Sequence, residues 1–218
     1  MEIHVLKAFR FFAPFIVFLV LFAMYGIVTE RFDVTFPDNV KDAVWGIGPV
    51  IACFLYQALP ARSIANQFYF SKVNENLRNK LVKIGNAGED DKRVDWPAAR
   101  KIFYKFIDND PSLQKKASRA YFNGFLWTTW ADLRAISFLF LLVAALECAV
   151  NPLMGFKLLV AYGAAFGLSL IGSSAQTKRH IEIGNEQIEY IDFHYKDELR
   201  KLIQSAITGS SLTSNSTS

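Results

Sequence analysis

The stretch FFAPFIVFLVLFAMYGIV, from Phe11 to Val28, decides the fold class of this chain. It carries no charge, and at about 1.5 Å per residue a helix of about 18 residues nearly crosses a hydrocarbon core about 30 Å thick. A secretory signal peptide is the alternative, but the apolar run is longer than the usual core of such a peptide and no small-residue cleavage pattern follows it. We therefore predict a retained transmembrane helix.

Three further apolar runs follow, at residues 43–59, 135–150 and 158–174, and Glu147 is the one ionisable residue among them. Core helices of a soluble protein are the alternative, but a chain of 218 residues would have too little polar sequence to cover four such helices. We predict an all-α, polytopic membrane protein with four transmembrane helices, a helical cytoplasmic segment between spans two and three, and a C-terminal cytoplasmic amphipathic helix.

The distribution of basic residues predicts the topology. Of the 24 Lys and Arg residues, all except Arg31, Lys41 and Lys157 lie before span one, between spans two and three, or after span four. Lys and Arg are retained on the cytoplasmic side, so both termini and the long connection are predicted to be cytoplasmic. The expected location is the cell inner membrane.

Turn signals and composition divide the chain into five parts. Pro60 follows span two, Asn151 and Pro152 separate spans three and four, and the Ser/Thr-rich end has too few apolar residues to order itself. The predicted parts are a first transmembrane pair (1–59, spans 11–28 and 43–59), a basic cytoplasmic helical segment (60–134), a second transmembrane hairpin (135–174, spans 135–150 and 158–174), a cytoplasmic helix (175–207) and a disordered tail (208–218).

Apolar residues recur at helical spacing in the cytoplasmic parts. One amphipathic helix is predicted from Pro60 to about Gly85. Asp95 with Pro97, and Asp110 with Pro111, are start signals for two more helices. The C-terminal helix carries an apolar stripe that needs a partner, either a second copy in a coiled coil or, more simply, the basic helices of the same chain.

Glycine and proline mark two places in the predicted spans. Gly163 and Gly167 form a GxxxG pattern in span four, which predicts close packing with a neighbouring helix because neither residue has a side chain. Gly46, Gly48 and Pro49 in span two predict a bend, because proline removes a backbone hydrogen bond. That bend is either an ordinary packing kink, or a hinge or pore-lining bend.

Glu147 is an ionisable residue within a predicted span, and such residues are costly enough to suggest a function. It lies about one turn from the outer end of span three, and Lys157 follows the turn at a similar predicted depth. An interfacial ion pair between these two residues is the favoured interpretation. An ion or proton site is the alternative.

The helix after Pro60 presents basic residues that we expect to contact lipid or a partner: Arg62, Lys72, Arg78, Lys80 and Lys83. Retention of positive charge on the cytoplasmic side suffices to explain them, and attraction to anionic lipid is compatible with their spacing. Nucleic acid is disfavoured because it would need a denser basic patch.

The sequence contains no motif for nucleotide hydrolysis or nucleophilic catalysis. His194 and Glu198 share one helix face, but one such pair without further ligands is a weak metal signal, and a solvated polar face is preferred. We therefore predict no catalytic residue, no metal and no cofactor.

Two functions remain. The first is a non-enzymatic, oligomeric sensor or anchor in the membrane that engages a soluble cytoplasmic protein. The second is a small ion-conducting pore, a membrane-permeabilising defence effector, or an immunity-type membrane protein. The proportion of helical cytoplasmic sequence favours the first, because it is too small for an enzyme domain and large enough to dock a partner.

Overall fold

The computed structural model describes residues 3–29, 51, 54–85 and 94–214. Within these ranges the regular structure is entirely helical, which confirms the all-α class. The five helices with described bounds are α1 (Ile3–Thr29), α2 (Ala61–Ile84), α3 (Trp96–Asn109), α4 (Pro111–Val150) and α5 (Pro152–Ser214). Residues 54–58 are also helical.

Three of these helices are long and apolar enough to cross a membrane. They contain the candidate spans Ala8–Thr29, Pro111–Val150 and Pro152–Thr208. Most of the predicted second span, including the expected bend at Gly46, Gly48 and Pro49, lies outside the described residues. The four-span arrangement and its orientation therefore stay predictions.

The chain divides into two compact units, each built from two separate segments. Unit 1 consists of Met1–Gln67 and Phe125–Ala175, and unit 2 consists of Phe68–Gly124 and Gln176–Ser218. Helices α2, α4 and α5 each contribute residues to both units.

Unit 1 has an aromatic and aliphatic core. Its buried residues are Leu21, Tyr56, Ile136, Phe140, Ala144, Leu158 and Tyr162. The Tyr162 hydroxyl donates a hydrogen bond to the Leu21 carbonyl at 3.0 Å, so the ring is buried without leaving its polar atom unpaired. The outward-facing residues of this unit are largely apolar as well, as in Val20, Ile27, Leu146 and Val150.

Unit 2 has the opposite pattern, with an aliphatic core and a charged surface. Its buried residues come from all four helices that enter the unit and from Val94 just before α3; those of the helices include Leu77, Leu81, Ile102, Phe103, Leu113, Ile188, Ile191, Leu199 and Ile203. The stripe of the C-terminal helix is therefore covered by helices of the same chain, as the simpler of the two sequence interpretations expected. The Lys105 ammonium adds a 2.9 Å ion pair with Glu198 at the surface.

The starts of α3 and α4 follow the sequence signals. The Asp95 carboxylate accepts a hydrogen bond from the Ala98 amide at 2.8 Å, which satisfies a free donor of the first turn of α3. The Asp110 carboxylate accepts from the Ser112 and Leu113 amides at the start of α4, at 2.6 and 3.0 Å. Both predicted helix starts are confirmed.

Helix α5 is longer than the sequence parts suggested. It runs through the predicted boundary at residues 174–175 without interruption, and its backbone stays helical to Ser214, beyond the predicted end at residue 207. Tyr195 is the one residue within it with non-helical angles (φ −133°, ψ 21°), which marks a kink. No proline lies within α5 after Pro152, so nothing in its sequence enforces a break.

Candidate functional site

Pro14 leaves one backbone carbonyl of α1 without its usual helical hydrogen bond. A proline has no N–H, so the carbonyl of Arg10, four residues earlier, loses its helical partner. The Arg62 guanidinium of unit 1 donates to that carbonyl through Nη2, at 3.1 Å. The proline in the helix is therefore compensated by an arginine from α2.

The same guanidinium holds a buried carboxylate. Arg62 donates through Nε to Oδ1 of Asp132 at 2.7 Å and through Nη2 to Oδ2 at 2.8 Å. The Tyr56 hydroxyl donates to Oδ1 of Asp132 at 2.8 Å. Asp132 is fully buried, and a buried carboxylate needs such partners to stay charged. We call Arg10, Tyr56, Arg62 and Asp132 the Arg–Asp cluster.

A buried arginine, Arg134, lies two residues after Asp132 on α4. Nη1 of Arg134 donates to the Ser173 hydroxyl at 3.0 Å, and its Nη2 contacts the Ala65 carbonyl of α2. Arg134 therefore joins α2, α4 and α5 within unit 1.

Asn66 is a further buried polar residue, one turn after Arg62 on α2. Its side chain is fully buried, and within the described residues neither its amide nitrogen nor its amide oxygen has a hydrogen-bond partner. Polar groups are therefore concentrated where α2 meets the other helices of unit 1. Sequence reasoning missed this concentration because Asp132 and Asn66 lie outside the four apolar runs.

The Arg–Asp cluster consists of hydrogen bonds to one carboxylate and one backbone carbonyl, and its chemistry suits a structural role. Arginine is always protonated and cannot serve as a base, while Asp132 already accepts three hydrogen bonds from two residues. Among the described residues there is also no group of three or more His, Cys, Asp or Glu that could hold a metal ion. The cluster fixes four helical segments to one another: α1, residues 54–58, α2 and α4.

The predicted GxxxG residues are not in close contact with another helix among the described residues. A Cβ atom built on Gly163 or Gly167 would meet nothing within 4 Å. Close approach occurs elsewhere in unit 1, because a Cβ on Gly155 would overlap the backbone of Cys148 and one on Gly172 would overlap the Trp130 ring. The spacing of glycines in the sequence carries no signal that distinguishes these two positions.

Glu147 is buried in unit 1, as its place in an apolar run suggested. Its carboxylate accepts a hydrogen bond from the Tyr25 hydroxyl at 3.1 Å, which joins α1 to α4. Lys157 is exposed. The ion pair between Glu147 and Lys157 stays a prediction.

The five basic residues of α2 are used in different ways. Arg62 belongs to the Arg–Asp cluster, and Arg78 donates through Nε to the Val94 carbonyl at 2.7 Å, which fixes the chain before α3. Lys72 lies 4.2 Å from the centre of the Phe68 ring in a cation–π contact. Lys83 is exposed and Lys80 partly exposed. Their contact with lipid or a partner stays a prediction.

The surface of unit 2 contains an acidic row on α5. Glu182, Glu186, Glu189 and Phe193 are all exposed and follow one another at intervals of four, three and four residues, which places them on one helix face. Phe193 is 83% exposed, the largest value among the exposed hydrophobic residues. We call these four residues the acidic face.

The kink at Tyr195 lies two residues after the acidic face. The Tyr195 hydroxyl donates to Oδ2 of Asp110 at 2.7 Å, and its ring lies against Phe106 with centroids 5.4 Å apart. The hydrogen bond from Tyr195, together with those from the Leu113 and Ser112 amides, holds the pKa of Asp110 below its usual range. The contact fixes the kink to the start of α4.

The chain matches no known protein family, no curated protein and no solved structure.

Proposed function

We propose that this chain is a non-enzymatic, multi-pass protein of the cell inner membrane, with four spans and both termini in the cytoplasm. In this proposal it acts as an oligomeric anchor or sensor. Its unit 2 docks a soluble cytoplasmic protein through the acidic face of α5.

Three features support the membrane part of the proposal. Three helices are long and apolar enough to span a bilayer, and large apolar side chains such as Val20, Leu146 and Val150 are exposed on unit 1. Apolar residues on that scale have no favourable place in water but match the hydrocarbon of a bilayer. The asymmetry of Lys and Arg supports the orientation.

The exposure of Phe193 carries the docking part of the proposal. A phenylalanine that is 83% exposed and contacts only the ring of its neighbour His194 among the described aromatic pairs gains little from the fold of its own unit, whereas burial in a partner would contribute about 1.5–3 kcal/mol. Three exposed glutamates precede it on the same face. The expected partner is therefore a protein with a basic surface around an apolar pocket.

Gly163 and Gly167 support the oligomeric part. Both lie in an apolar part of α5, and the space beside them is open among the described residues. A helix from a second copy would be able to approach closely there. The mass of the complex in nanodiscs measures the number of copies.

Point substitutions test docking more sharply than a deletion. Removing residues 62–116 would take away Leu77, Leu81 and Leu113, which are buried in unit 2, and would unfold the unit whatever its function. A photo-crosslinking amino acid at position 193 of the full-length chain, expressed in its native cells, identifies the molecule that contacts the acidic face directly.

The identified partner is then purified and its Kd measured. We expect Phe193→Ala and Glu186→Lys each to weaken binding by about tenfold, since a central aromatic contact or a reversed charge is worth about 1–2 kcal/mol. Phe122→Ala is the matched control, because Phe122 is an exposed phenylalanine of unit 2 on α4. Crosslinks only to a second copy of this chain, or an unchanged Kd for Phe193→Ala, would contradict docking at this face.

A further inference from the structure

The Arg–Asp cluster contains more positive than negative charge. The Arg10 guanidinium lies close enough to interact electrostatically with both Arg62 and Asp132, so two cations share one carboxylate. Arg62 repels Arg10, and the single negative charge of Asp132 balances only one of the two positive charges. An anion at this position would balance the second charge.

Both arginines have N–H groups that are available to bind a ligand. Arg62 uses Nε and Nη2 in its bonds to Asp132 and the Arg10 carbonyl. Within the residues that the structure describes, Nη1 of Arg62 and the guanidinium of Arg10 make no hydrogen bond. Arg10 is exposed and Arg62 is partly exposed, so these donors are accessible from outside the unit.

The surroundings of the cluster are apolar and also exposed. Phe11, next to Arg10, and Leu59, three residues before Arg62, are each at least half exposed. Both lie in apolar segments that we assign to the membrane. A ligand at the cluster would therefore meet positive charge at one end and hydrocarbon at the other.

We infer that the Arg–Asp cluster binds the phosphate of an anionic phospholipid, with Arg10 and Nη1 of Arg62 as its donors. Planar guanidinium groups match the geometry of phosphate oxygens and bind them with two parallel hydrogen bonds. The acyl chains would lie along the apolar residues beside the cluster. Free phosphate offers the same oxygens but gains nothing from apolar residues such as Phe11 and Leu59, so the lipid is the favoured source.

Native mass spectrometry of the full-length, delipidated chain tests this inference. Phosphatidylglycerol and phosphatidylcholine with identical acyl chains are titrated in parallel, and inorganic phosphate is added as a competitor. We expect phosphatidylglycerol to bind more tightly than phosphatidylcholine. The Arg10→Gln variant should weaken its binding by about fivefold, the factor expected for one basic residue near an anionic lipid.

Lys157→Gln is the matched control, because it removes one exposed positive charge from the same unit. Its affinity for phosphatidylglycerol should change by less than about twofold. Equal binding of the two lipids, or an unchanged affinity in Arg10→Gln, would overturn the inference. Displacement of the lipid by inorganic phosphate at a similar concentration would assign the site to the free anion instead.

The inference rests on the proposed membrane location, and the two are tested separately. Extraction of cell membranes with alkaline carbonate reports whether the chain is integral, whichever lipid it prefers. A chain that stays in the membrane but binds both lipids equally would leave the proposed location intact and refute the lipid site.

Discussion

Unit 1 and unit 2 place apolar and charged residues in opposite ways. Unit 1 exposes aliphatic side chains such as Val20 and Val150 while it buries Asp132 and Arg134. Unit 2 buries its aliphatic residues and exposes glutamates, as on the acidic face. Exposed aliphatic side chains are favourable in hydrocarbon, and exposed carboxylates are favourable in water. The two surfaces therefore suit different surroundings. The comparison indicates hydrocarbon around unit 1 and water around unit 2.

The largest expected effect comes from placing the same charge on both surfaces. Val20 is 59% exposed and lies near the middle of the first span, and Phe193 is 83% exposed on unit 2. Val20→Lys should cost about 3 kcal/mol of membrane insertion, whereas Phe193→Lys should leave insertion unchanged. The integral fraction after carbonate extraction measures both. Equal membrane fractions for the two variants would contradict the assignment of hydrocarbon to the surface of unit 1 and water to that of unit 2.

A smaller effect is expected from one glycine in each unit. A Cβ on Gly172 of unit 1 would overlap the Trp130 ring, while a Cβ on Gly184 of unit 2 would overlap only a terminal methyl of Leu77. An indole ring has little freedom to move in a packed core, and a leucine methyl can rotate away. Gly172→Ala should therefore destabilise by about 1–2 kcal/mol after the gain in helix propensity, and Gly184→Ala by less than about 1 kcal/mol.

Thermal unfolding of the purified variants measures this difference. Gly124→Ala is the control, because nothing lies within 4 Å of a Cβ at that position and the substitution should stabilise α4 slightly. A loss of stability in Gly124→Ala equal to that in Gly172→Ala would mean that the contact with Trp130 is not the cause.

The smallest effect concerns the buried aspartate of unit 2. Because its hydrogen bonds lower the pKa of Asp110, the ionised form is favoured in the folded state. Its contribution to stability is therefore complete above about pH 4, the usual pKa of aspartate, and is lost as the pH falls through the lower folded-state pKa. Tyr195→Phe removes the largest cause of that shift.

We expect Tyr195→Phe to lower the unfolding temperature at pH 7 by less than Gly172→Ala does. The difference between the variant and the original chain should shrink as the pH falls below 4. Unfolding temperatures measured from pH 7 down to pH 3 report both. A difference that does not change with pH would assign the loss to packing of the Tyr195 ring on Phe106 instead.

Local signals in the sequence predicted a large part of the fold. Apolar run length indicated the helices of unit 1, and aspartate followed by proline located the starts of α3 and α4, because both signals depend on neighbouring residues alone. The continuation of α5 through residue 175 was not evident. The change of composition there resembles a boundary, although no residue at that position breaks a helix.

The candidate site was harder to predict. Arg62 was singled out for its charge and expected to face lipid or a partner, but its main contact, Asp132, is 70 residues away in the chain. Pro14 gave no hint that the carbonyl of Arg10 would be used by that same arginine. Such contacts depend on how helices meet, and one sequence alone contains no record of that.

The division of each unit into two segments has a consequence for biosynthesis. Leu77 and Leu81 leave the ribosome long before Ile188, Ile191 and Ile203, which complete the core of unit 2. Until residues 176–207 have been translated, the apolar face of α2 has no cover, and a nascent chain in that condition is exposed to aggregation and to chaperones. A stop codon shortly after residue 175 would therefore remove part of the core that buries the apolar residues of α2 and would not merely remove a tail.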